Sequence, residues 1–70
     1  MNNEEFGQRM RQRRKEIGLN QSQLAMASGT GVRFISDLEN GKETCQLGKI
    51  LKVAANLGFE LELKLKGKKH

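Results

Sequence analysis

Apolar residues along this chain recur first at helical and then at alternating spacing. From about Asn3 to Ile17, Phe6, Met10 and Ile17 share one face of a predicted helix, and Arg14 lies on the same stripe. Gly18 ends it. Asn20, with Gln23 three residues on, is a capping-box variant that starts a second helix at Gln21, expected to end near Ser28. Gly29, Thr30 and Gly31 form a turn into a third helix, Val32 to about Glu39, which Asn40 and Gly41 stop. After a polar loop opened by Lys42 and Glu43, the positions Leu47, Ile50, Leu51, Ala54 and Leu57 predict a fourth helix that closes the core.

At Gly58 the period changes from 3.6 to 2. Phe59, Leu61, Leu63 and Leu65 alternate with Glu60, Glu62, Lys64 and Lys66, the pattern of a half-buried strand. No other stretch reads as a strand, so its backbone groups are expected to pair with a second copy across a twofold axis. Alternatives are a strand added to another protein's sheet and a tail ordered only in a complex; the homodimer is preferred. With antiparallel strands centred on Leu63, Glu60 faces Lys66 and Glu62 faces Lys64, each pair favourable by roughly 0.2–1 kcal/mol. The fold class expected is all-α: a four-helix bundle plus one C-terminal β-strand that pairs across the dimer. Residues 1–57 form the helical domain, 58–66 the dimerisation strand and 67–70 a disordered basic tail.

The middle of the chain, QSQLAMASGTGVRFISDLENG from Gln21 to Gly41, organises the rest. Ala25 is small where a second helix crosses closely, Gly29 can take the positive φ that ends the first helix abruptly, and Ile35 and Leu38 point back at Leu24. This is the geometry of a helix-turn-helix, whose second helix is free to enter a DNA major groove. A plain helical hairpin is the competing reading; five positions agreeing in a basic chain make it the weaker one.

Reach then assigns roles on the duplex. Arg33, early in the third helix, can donate two parallel bonds to guanine O6 and N7, Val32 can meet a thymine methyl, and Ser36 lies one turn along the same face. Asp37 either accepts from cytosine or repels misplaced phosphates. Candidates for phosphate contact are Asn20 and Gln21 at the second helix's N-terminus, Thr30 in the turn, and Asn40 and Lys42 after the third helix. For Asn20, capping alone is an equal alternative. Arg14 on an apolar stripe needs an acceptor, and Glu39 is the expected ion-pair partner. Lys49 and Lys52 read as part of a solvated face.

Seventy residues allow one small core, which favours oligomerisation as added stability. Thirteen Lys and Arg against eight Asp and Glu give a net charge of +5, which suits a polyanion, nucleic acid ahead of a membrane surface. No apolar run is long enough to cross a bilayer and MNNEEF is unlike a signal peptide, so a cytoplasmic location is expected. Cys45 is the sole cysteine and His70 the sole histidine, which leaves no metal set; Cys45 reads as a loop filler. No cofactor or catalytic residue is expected, because no carboxylate pair, phosphate-cradling loop or placed histidine is present. Three phenylalanines without a stacking surface argue against RNA.

The run LNQSQLAMASGTGVRFISDLENGK resembles the helix-turn-helix of the XRE superfamily of Cro and phage repressors, a lambda-repressor-like fold, over residues 6 to 57. The continuation LGKILKVAANLGFELELKL is similar to a narrower group, the HipB-type antitoxins, whose short repressor domain ends in a strand that pairs between subunits. The resemblance implies a homodimer that binds a palindromic operator in double-stranded DNA, represses its own operon and neutralises a HipA-like serine/threonine kinase toxin. It places phosphate contacts at Gln21, Asn40 and Lys42, base contacts at Val32, Arg33, Ser36 and Asp37, and a buried ion pair at Arg14 and Glu39. Two positions depart: many relatives have Ser or Thr at Gly31 and an aliphatic residue at Thr30. The leading expectation is a repressor and antitoxin of a type II module. The alternatives are a protein-interaction module whose DNA binding is secondary and a stand-alone repressor without a toxin.

Overall fold

The computed structural model describes residues 1–67, which form four helices: α1 (Asn3–Ile17), α2 (Gln21–Ser28), α3 (Val32–Glu39) and α4 (Leu47–Asn56). Local chemistry accounts for their ends. Asn2 accepts from the Glu5 amide at 2.8 Å while Glu5 accepts from the Asn2 amide at 3.1 Å, a reciprocal cap that opens α1. Glu4 and Glu5 in its first turn and Arg14 and Lys15 in its last complement the helix dipole. At the far end Gly18, with φ +91°, turns its amide back onto the Arg14 and Lys15 carbonyls.

α1 packs on α3, and α2 packs on both α3 and α4. The core is Met10, Leu24, Ala25, Ile35, Leu38, Val53, Ala54 and Leu57, flanked by Phe6, Leu19, Phe34, Cys45, Ile50 and Phe59. Leu24, Ile35, Val53 and Leu57 are fully buried, each worth roughly 1.5–3 kcal/mol of stability. Cys45 sits half-buried beside them, and desolvation pushes its thiol pKa up.

Three expected core positions lie elsewhere. Ile17, the last residue of α1, is exposed, and the buried stripe of that helix ends one turn earlier at Arg14. Leu47 and Leu51 also face solvent, Leu47 at 66% exposure, and Val53 takes the inward place. The stripe that meets α2 is Ile50, Val53, Ala54 and Leu57, a complete i, i+3, i+4, i+7 set rotated away from Leu47 and Leu51. Gly7, which the apolar pattern passes over, is buried in α1. A Cβ there would stand 2.7 Å from the Glu39 carbonyl oxygen and closer still to that of Leu38, so its missing side chain lets α1 lie against the end of α3.

No strand is present among the described residues. The chain turns at Leu57 and Gly58, and the Phe59 amide donates to the Ala54 carbonyl at 2.9 Å while its ring packs on the core. From Glu60 to Leu65 the chain has no regular secondary structure, and Lys66 falls in a turn with Gly67. Leu63 and Leu65 are 102% and 88% exposed. The expected strand therefore does not form within one chain, since an isolated strand has nothing to bond to. Of the basic tail expected at 67–70, residues 68–70 lie outside the described residues.

Candidate nucleic-acid interface

α2 begins with a second reciprocal cap: Asn20 accepts from the Gln23 amide at 2.7 Å, and Gln23 accepts from the Asn20 amide at 2.8 Å. The Asn20 side-chain oxygen is thereby engaged, leaving its NH₂ group for any outside acceptor. α2 ends at Gly29, φ +68°, whose left-handed conformation sends the chain across to α3; the Thr30 amide then closes on the Ala25 carbonyl at 2.9 Å.

The turn differs from the expectation at Thr30. Its hydroxyl is shut away from solvent with no hydrogen-bond partner, as is that of Ser28, so it neither faces a phosphate nor caps α3. α3 starts at Gly31 without a side-chain cap.

Behind the turn, a buried cluster ties three elements together. Arg14 donates from Nε to Glu39 Oε2 at 2.6 Å, from Nη2 to Glu39 Oε1 at 3.0 Å and from Nη1 to the Leu19 carbonyl at 2.9 Å. The hydrogen bond to Glu39 holds the guanidinium proton more tightly than usual, outweighing the opposite effect of burial, and the Glu39 charge adds to it. Gln21 Nε2 also donates to Glu39 Oε1, at 3.1 Å. One amide hydrogen of Gln21 is thus turned inward, and the Arg14 fork fixes the angle at which the first turn of α2 is presented. This cluster joins the end of α1, the start of α2 and the end of α3.

α3 divides cleanly. Ile35, Leu38 and Glu39 are buried, while Val32 is 43% exposed and Arg33 is exposed with no ion-pair partner among the described residues. Ser36 and Asp37 are half-buried. The Asp37 carboxylate meets Lys42 Nζ at 3.4 Å, a surface ion pair that links the outer part of α3 to the loop after it. Asn40 is exposed at the end of α3, next to Lys42.

Two further cations lie beside this region: Lys49, read from the sequence as part of a solvated face, and Arg11, not singled out from the sequence. Lys49 Nζ stands 5.6 Å from the centre of the Phe34 ring, which brings the positive charge of α4 beside α3. Arg11 lines a shallow cleft with Glu4, Gln8, Glu39 and Asn40. Lys49 is far in sequence from Phe34, and Arg11 from Glu39 and Asn40, so no local pattern announces either meeting. Among the described residues, no helix is long and apolar enough to cross a membrane.

An exposed arginine-bearing helix, held by a left-handed glycine turn to a capped helix, defines a DNA-binding module, and residues 10–64 match the helix-turn-helix family. The chain belongs to that family, in its XRE type, and is a DNA-binding transcriptional regulator. It is 46% identical over 56 residues to an uncharacterized HTH-type transcriptional regulator, y4mF, of Sinorhizobium fredii, covering 80% of this chain and 74% of that protein. Among solved structures it is similar to the restriction-modification controller protein C.AhdI from Aeromonas hydrophila, at 38% identity and a TM-score of 0.73, over 81% of this chain and 83% of that one. A chain of the HipA-HipB-O2-O3 complex shares the fold at a TM-score of 0.83 and 24% identity, over 94% of this chain and 93% of that one.

Proposed function

We propose that this regulator is a homodimeric repressor of a palindromic operator and the HipB-like antitoxin of a type II toxin-antitoxin module, neutralising a HipA-like serine/threonine kinase. The observation that carries the DNA reading is the division of α3: Arg33 stands free on the outer face while Glu39 anchors the inner face to Arg14. Arg33 and Val32 read bases, with Ser36 beside them. Gln21, Asn20, Asn40 and Lys42 hold phosphates and set the register. Asp37 acts through Lys42, moderating its charge. The bare leucines of the tail, Leu61, Leu63 and Leu65, support pairing with a second copy, as do the Glu and Lys residues that match across an antiparallel pair centred on Leu63. Two such copies present recognition helices about 34 Å apart, one turn of duplex.

Arg33→Ala is expected to cost about 1–3 kcal/mol on the operator and almost nothing on random DNA. Equal losses on both would remove its base-reading role. Salt titration separates a phosphate-anchored repressor, whose affinity falls steeply with salt, from an interaction module whose DNA binding is secondary.

A second reading, a stand-alone repressor without a toxin, is favoured by the 38% identity to C.AhdI, a controller protein of restriction-modification. Co-expression with the product of the adjacent gene decides between them: a stable complex with a HipA-like kinase supports the antitoxin, and the absence of such a gene supports the stand-alone repressor.

A further inference from the structure

We infer that Arg13 is a positioning residue for operator recognition: it sets the direction in which the tail leaves the helical body, and hence the spacing of the two recognition helices. The inference rests on the dimer reading above. Arg13 Nε donates to the Leu57 carbonyl at 2.8 Å, across 44 positions of sequence. Leu57 caps the C-terminus of α4, where unpaired carbonyls and the negative end of the helix dipole favour a cation. The next residue, Gly58, has φ +84°, and a Cβ there would lie 3.4 Å from Arg13 Nη2. On its other side the guanidinium is braced by Glu16, whose Oε1 is 3.4 Å from Nη1.

Residues 57–59 are therefore held at two points, by Arg13 on the Leu57 carbonyl and by the Phe59 amide on the Ala54 carbonyl, with the Arg13 guanidinium beside Gly58 between them. Arg13 and Phe59 line the same cleft on α1. Glu60 and Leu61 still run along α1, in a cleft with Phe6, Arg9 and Met10, and the tail leaves the body beyond Leu61, so a tilt of the segment that Arg13 holds is passed on to the whole second protomer.

The leverage is large. A recognition helix stands about 17 Å from the dimer axis, half of the one-turn spacing. Over a lever arm of about that length, a swing of about 10° at the point of exit displaces the helix by roughly 3 Å, close to the rise of one base-pair step. A residue that merely capped α4 would alter stability and leave this geometry alone.

The test uses the full chain with Cys45→Ser and Met26→Cys, which puts one nitroxide per protomer on the exposed face of α2. Distances between the two labels are read by double electron–electron resonance, and dimer content by sedimentation. The parent protein is expected to give one narrow distance. Arg13→Ala and Arg13→Gln are expected to keep the dimer and broaden the distribution about twofold, and Arg13→Lys, which keeps a donor for the Leu57 carbonyl, to narrow it again. The Arg13 side chain is 43% exposed, so its removal leaves the core filled. An intact dimer with an unchanged distribution in both variants overturns the inference. So does dissociation of a folded variant, since Arg13 would then govern assembly rather than geometry. A monomeric parent protein instead defeats the dimer reading, before Arg13 is changed.

Discussion

Replacing Gly7 with alanine is the sharpest test of how α1 is seated. In an ordinary helix interior the change is stabilising by about 1 kcal/mol, because glycine has the larger backbone entropy to lose. At Gly7 the new Cβ would lie 2.7 Å from the Glu39 carbonyl oxygen and 2.9 Å from its carbon, where a carbon–oxygen contact is ordinarily about 3.3 Å or longer. Both obstacles are backbone, and no rotamer change relieves them. α1 must back away from α3 by more than about half an ångström, opening the contact around Met10 and stretching the Arg14–Glu39 pair. Overpacking of this kind costs about 1–3 kcal/mol, and the upper part of that range applies where only backbone can yield. Set against the propensity gain, a net loss of about 1–2 kcal/mol follows, a fall in Tm of roughly 4–8 °C for each kcal/mol in a domain of this size. Gly48, in α4, is the control, because nothing lies within 4 Å of a Cβ there; Gly48→Ala is expected to stabilise by up to about 1 kcal/mol. Thermal and urea unfolding followed by circular dichroism measure both. If Gly7→Ala stabilises as Gly48→Ala does, the close approach of α1 to α3 is refuted.

Two other substitutions probe the buried polar groups. Thr30→Val removes an orphaned hydroxyl at nearly constant volume and is expected to stabilise by about 1 kcal/mol; a loss in urea unfolding would mean that the hydroxyl has a partner. Glu39→Gln leaves the buried Arg14 charge without its counter-ion and is expected to cost about 3–5 kcal/mol, a large part of the total for a domain of this length. Joint replacement, Arg14→Met with Glu39→Leu, should recover part of that stability yet weaken DNA binding, since Gln21 loses its anchor. Full recovery of operator affinity in the double variant would show that the cluster does not orient α2.

The helices were legible in the sequence because their signals are local. Asn20 with Gln23, the left-handed turn at Gly29 and the 3.6-residue period each act within one turn, so the bounds of α2 and α3 follow from chemistry between near neighbours. The ion pair of Arg14 with Glu39 was accessible for a related reason: a charge on an apolar stripe demands an acceptor, and few carboxylates lie within reach. Rotation about a helix axis is a different matter. Whether Leu51 or Val53 faces inward depends on which side of α4 meets α2, a choice made by the whole assembly. The same holds for Gly7 against the end of α3, for Lys49 over Phe34, for the burial of the Thr30 hydroxyl and for Arg13 at the Leu57 carbonyl. Each depends on two segments brought together from distant parts of the chain, and periodicity records only how a segment is divided between inside and outside, not what it meets there.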